Sequence, residues 1–82
     1  MLYLITQRHA PDHCPIHEGG AKILYHDKAE GVDVKAVYGD YPNHTIYYVV
    51  EAADLAAIQR FLDPGMRRCT ATVSPIVAEP VA

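Results

Sequence analysis

Hydrophobic positions recur along this chain with two periods, one near 2 and one near 3.6. From Met1 to His9, Leu2, Tyr3, Leu4 and Ile5 run unbroken before Thr6 to Arg8 turn polar, which predicts a strand apolar on both faces. Residues 10–20 hold Pro11, Pro15 and the pair Gly19-Gly20, and are expected to form a loop. Ala21 to Glu30 is expected to be a helix, closed by Gly31 as its left-handed cap. Val32 to Tyr41 sets Val32, Val34, Ala36 and Tyr38 against Asp33, Lys35 and Gly39, so one face of the second strand is wet. Pro42-Asn43 turns the chain into Thr45 to Glu51, where Ile46 to Val50 are again apolar on both faces. Asp54 suits the N-terminus of a helix that buries Leu55, Ile58, Phe61 and Leu62 and stops at Pro64-Gly65. Cys69 to Val73 is the last strand. Residues 74–82, opening with Ser74-Pro75 and carrying Pro80, are expected to be an extended arm.

The predicted order is βαββαβ, an α+β class fold. Right-handed crossovers then favour a four-stranded antiparallel sheet of order 4-1-3-2, with helices on one face. The first and third strands, apolar on both faces, are the two this order places in the centre. In element order, length and strand burial, the chain resembles the ferredoxin-like domains, and among them the dimeric α+β barrel proteins and the many short bacterial chains of unassigned function. That resemblance implies a single domain over residues 1–82 that dimerises through its helix-free face. It assigns no catalytic residue.

Composition narrows the function classes. At 82 residues, folding buries only about 60–65% of the unfolded surface, so the core needs support from a metal, a disulfide or a second copy. An apolar share of 50% against 21% charged excludes a disordered chain. A net charge of −3 with seven Lys and Arg excludes an electrostatic footprint for nucleic acid or an anionic membrane. No apolar run nears the ~18 residues of a membrane span. The start lacks a basic segment and a cleavage site, so a cytoplasmic protein with two reduced thiols is expected.

The chemistry is concentrated in His9-Ala10-Pro11-Asp12-His13-Cys14-Pro15-Ile16-His17. Imidazole and thiolate are preferred ligands of Zn, Ni and Cu, whereas Mg and Ca want oxygen. Pro11 and Pro15 restrict the backbone on either side of His13-Cys14 and lower the cost of holding them in place. The spacing H-x3-H-C-x2-H matches no zinc-finger or zincin pattern. Topology supplies a second argument. The end of the first strand lies beside the starts of the third and fourth, which gathers the His9 loop, Tyr41, His44 and Cys69 at one pole. The expected metal ligands are therefore His9, His13, Cys14 and His17, completed by Cys69 and His44. No nucleotide or organic cofactor is expected.

Each of these residues also has an ordinary role to weigh. A loop histidine is commonly a solvated surface group, and His26 is expected on a helix surface. His44 can serve its own turn, and Cys69 can be a small buried hydrophobe. A Cys14–Cys69 disulfide would add roughly 4 kcal/mol, but reducing conditions oppose it. Tyr3, Tyr47 and Tyr48 belong to the core or a dimer interface. Arg67 and Arg68 are an exposed strand-end pair, or hold an anion. Two other function classes stand beside metal binding. One is a cofactor-independent monooxygenase- or isomerase-like enzyme, in which His9, His44, Tyr38 and Asp40 move protons on a small apolar or aromatic ligand. The other is an assembly domain without a site.

Overall fold

The computed structural model describes residues 1–80. Strands β1 (Leu2–His9), β2 (Val32–Asp40), β3 (Thr45–Ala52) and β4 (Cys69–Ile76) form one antiparallel sheet. Its order is β2-β3-β1-β4, the expected 4-1-3-2 seen from the opposite edge. β1 pairs with β3 from Leu2↔Glu51 to Arg8↔Thr45, and with β4 from Leu2↔Ile76 to His9↔Cys69. The two strands apolar on both faces are therefore the central ones.

One face of the sheet carries the core. Tyr3, Ile5, Ile46, Tyr48 and Val50 are buried there with Ala57, Ile58 and Phe61 of helix α1 (Leu55–Leu62) and with Leu24. Asp54 caps α1 by accepting the Ala57 amide at 2.9 Å, as its residue type and position predict. Tyr48 stacks edge-on against Phe61 at 5.1 Å and against Tyr25 at 5.0 Å. Leu55, expected to be buried, is exposed; Ala57 takes the inward position.

The structure corrects the expected pair of helices on this face. α1 is the one α-helix among the described residues. The span Ala21 to Glu30 forms a 3-10 turn over Ala21–Leu24 and then extends at Tyr25, with φ −151° and ψ 159°. Ten residues without a capping side chain make a marginal helix, and other partners take the backbone groups it would pair. Gln7 Nε2 donates to the Leu24 carbonyl at 2.8 Å, and the His26 amide donates to Phe61 O at 2.8 Å. Extension also lets Tyr25 reach both Tyr48 and Phe61. Tertiary pairing overrides local propensity here.

Two further differences concern the edge strands. A bulge between Val34 and Ala36 shifts the β2 register, so Val34 pairs with Val50 but Ala36 pairs with Val49. Val32 and Val34 thus share the core face, whereas Ala36 and Tyr38 lie on the other; one extra residue reverses the side-chain alternation. β4 runs to Ile76, past Ser74-Pro75. Proline is tolerated because β4 is an edge strand. The arm thus begins later than expected, and its last residues, 81–82, lie outside the described residues.

Candidate metal site

β1 ends at His9, and β3 begins one residue after His44. Their proximity follows from pairing: Arg8 faces Thr45 across the ladder, and the His9 amide donates to the His44 carbonyl at 3.1 Å. A 3-10 turn over Tyr41–Asn43 delivers His44, whose amide donates to Tyr41 O at 3.1 Å. Asn43 Nδ2 holds the Asp40 carboxylate at 3.0 and 3.2 Å, and Thr45 Oγ1 donates to Asn43 O at 2.8 Å. His44 itself sits at φ 50°, ψ 44°, left-handed backbone that a non-glycine residue adopts at a cost of about 1–2 kcal/mol. Such a cost persists where the surroundings enforce it, and sites of function are where it collects.

That backbone aims the His44 ring at His9. His44 Nδ1 and His9 Nε2 are 3.3 Å apart, with the rings crossing at 76°. Cys14 completes a trio, its Sγ lying within 4.8 Å of both imidazole donors. The chain brings it there through the Pro11–His13 3-10 turn, in which the Cys14 amide donates to Pro11 O at 3.3 Å. After Pro15, the turn is closed by amides of Glu18 and Gly20 on Pro15 O, at 2.8 and 2.9 Å. Gly20 takes φ 80°, which a side chain would resist. An ion pair from Arg68 to Glu18 ties this loop to the approach of β4.

Burial and nearby positive charge favour the neutral form of His9. The residue is 8% exposed, and burial, then His44, then Arg68 push its pKa below the ordinary imidazole value. Its Nδ1 is buried and has no hydrogen-bond partner among the described residues. A buried polar atom left unpaired costs about 1–3 kcal/mol, so the ring is held in place at a loss to stability.

The structure gathers His9, Cys14 and His44, and leaves the other expected ligands apart. His13 and His17 are exposed on the same loop. Cys69 pairs with His9 across β1 and β4 but joins no donor cluster among the described residues; its half-buried side chain packs on the core. Burial pushes its thiol pKa up, against the smaller opposing effect of Arg68. Both cysteines are free. Of the acid–base set, His9, His44 and Asp40 line one hollow of about 240 Å³. The β2 bulge places Tyr38 on the opposite face, and Tyr41 stands at the hollow instead. Sequence reasoning missed the apolar wall of this hollow, Pro15, Ile16, Ala21 and Ile46; the run Pro15-Ile16 inside an otherwise polar loop was its one local signal. The chain matches no protein-family model, no curated protein and no solved structure in the three comparisons made.

Proposed function

We propose that this chain is a transition-metal-binding protein that works as a homodimer, its ion held by His9 Nε2, Cys14 Sγ and His44 Nδ1. The observation that carries the reading is the 3.3 Å approach of two imidazole nitrogens. As a hydrogen bond this contact is at the long end. Two nitrogens about 2.0–2.1 Å from one tetrahedral ion lie about 3.3–3.4 Å apart, so the observed spacing suits shared ligation. Mixed imidazole and thiolate donors favour Zn, with Ni and Cu as competitors, over Mg or Ca. The binding energy of an ion would also offset the cost of the left-handed His44 backbone. Native mass spectrometry of tag-free protein titrated with Zn2+ should show one ion per chain, retained at micromolar concentration. Uptake that is sub-stoichiometric at every ratio would refute the reading.

The homodimer is supported by the helix-free face. Register places Leu4, Ala36, Tyr38, Tyr47 and Val49 together on it, opposite α1, with Tyr38 exposed and the others half-buried. A contiguous apolar patch is costly for a lone chain, and a two-fold interface buries the same patch on both copies. Light scattering at micromolar concentration should give twice the 9.1 kDa chain mass. A 9.1 kDa particle would exclude the dimer and leave the metal site standing.

A further inference from the structure

The hollow beside the three donors is where a fourth ligand would enter. We propose that the metal-loaded protein binds a small molecule with one monoanionic, metal-ligating head and an apolar body, seated in this hollow with its head on the ion. The proposal rests on the metal site above and adds to it the class of molecule that the site takes.

Position, size and charge each support it. His9, Cys14 and His44 all line the hollow, so an ion they share presents its unoccupied side there. Three protein donors and one open position are the arrangement of metal sites that exchange ligands, whereas structural sites are closed by four. The apolar part of the wall is Pro15, Ile16, Ala21 and Ile46, and no amine or guanidinium lines the hollow to hold a second negative charge. Its volume, about 240 Å³, is below the roughly 300–1,000 Å³ of sites for drug-sized ligands. It exceeds the ~150 Å³ of an apolar cavity that holds benzene. One ring and one head group therefore fit.

Charge then selects the head. A divalent ion with one thiolate and two neutral imidazoles keeps a single positive charge. Asp40 also lines the hollow, its carboxylate hydrogen-bonded by Asn43, and its negative charge disfavours a second anionic group on the ligand. Arg8 and Arg68 lie along a separate hollow that shares the two imidazoles but not Cys14. A monoanion neutralises the ion and its three donors, whereas a dianion would leave an unpaired charge against apolar walls and beside Asp40.

Cobalt substitution makes the proposal testable, because the visible bands of Co2+ report each change in its ligands. Titrating Co2+-loaded protein with benzoate should shift those bands saturably. Acetate should bind at least tenfold more weakly, since a methyl buries far less apolar surface than a ring. Succinate should do no better than acetate. Gly39 lines the hollow, and a Cβ built there meets no heavy atom within 4 Å. Gly39→Leu should therefore fill the hollow, leave Co2+ uptake unchanged and weaken benzoate at least tenfold. Equal affinities for acetate and benzoate, or undiminished benzoate binding by Gly39→Leu, would overturn the proposal. So would bands that never respond to benzoate in protein that has taken up Co2+, and the metal site would then survive alone. Failure to take up Co2+ at all would sink the metal reading and this proposal together.

Discussion

Replacing Cys14 by Ser should weaken Zn2+ binding by more than about 100-fold, while His26→Ala leaves it unchanged. Loss of a partner that merely orients a ligand costs about 10–100-fold in metal affinity, so loss of a ligand itself should cost more. Serine keeps the shape of the side chain and removes the soft donor, which separates ligation from loop packing. His26 is exposed and outside the cluster, so its removal controls for adventitious surface binding. Competition with a chromogenic chelator measures both variants on one scale. Protons compete for the same donor atoms, so affinity should fall as the solution is acidified. His9 should resist that competition longer than an exposed histidine, because burial holds its pKa low. Equal affinity for wild type and Cys14→Ser would remove Cys14 from the ligand set. A His9→Ala, His44→Ala double variant that binds as wild type would end the metal reading.

The largest loss of stability should come from Gln7→Ala. Gln7 is 1% exposed in the middle of β1, an unusual place for an amide. It stays because both ends of the amide are engaged: Tyr48 Oη donates to Oε1 at 2.7 Å, and Nε2 donates to Leu24 O at 2.8 Å. Alanine would strand a buried hydroxyl and a buried carbonyl at about 1–3 kcal/mol each, and leave a void beside them. A loss of about 3–5 kcal/mol follows, a large share of the roughly 4–12 kcal/mol expected for a chain of this length. The melting temperature should fall by more than about 12 °C. Tyr48→Phe removes one of the two bonds and should cost about 1–2 kcal/mol, with strong coupling to Gln7→Ala in a double-mutant cycle. Gly65 bounds the same joint, since a Cβ there would lie 2.5 Å from Leu24 O and 2.8 Å from Gln7 Nε2. Urea unfolding of the variants checks this; a loss under about 1 kcal/mol for Gln7→Ala would show the joint to be incidental.

Much of the architecture was legible in the residues because sheet position leaves a direct mark on them. A central strand touches neighbours on both edges and layers on both faces, so β1 over Leu2 to Ile5 and β3 over Ile46 to Val50 are unbroken apolar runs, as β2 and β4 are not. Asp54, Pro64 and Gly65 likewise act through their own backbone chemistry, and α1 starts and stops beside them. The gathering of His9 and His44 was legible for a related reason. Antiparallel order alone brings the end of β1 to the start of β3, whatever the side chains do.

What the sequence by itself determined is therefore the strand order, the one true helix and the pole at which the imidazoles meet. Only the tertiary structure decided which donors converge, because convergence at the scale of one ion depends on side-chain direction rather than on proximity along a loop. His13 is next to Cys14 yet turns to solvent, and Cys69 neighbours His9 yet packs, half-buried, against the core. The second helix was lost for the same kind of reason: Gln7 and Phe61, distant in sequence, bind backbone groups that a helix over Ala21 to Glu30 would have paired within itself. The β2 bulge, one residue long, sent Tyr38 to the face away from the site, and nothing in the alternation of β2 marks it. Local patterns record what a residue's own backbone and its burial require, whereas these outcomes were set by partners on other elements, such as Gln7 against Leu24, 17 positions away.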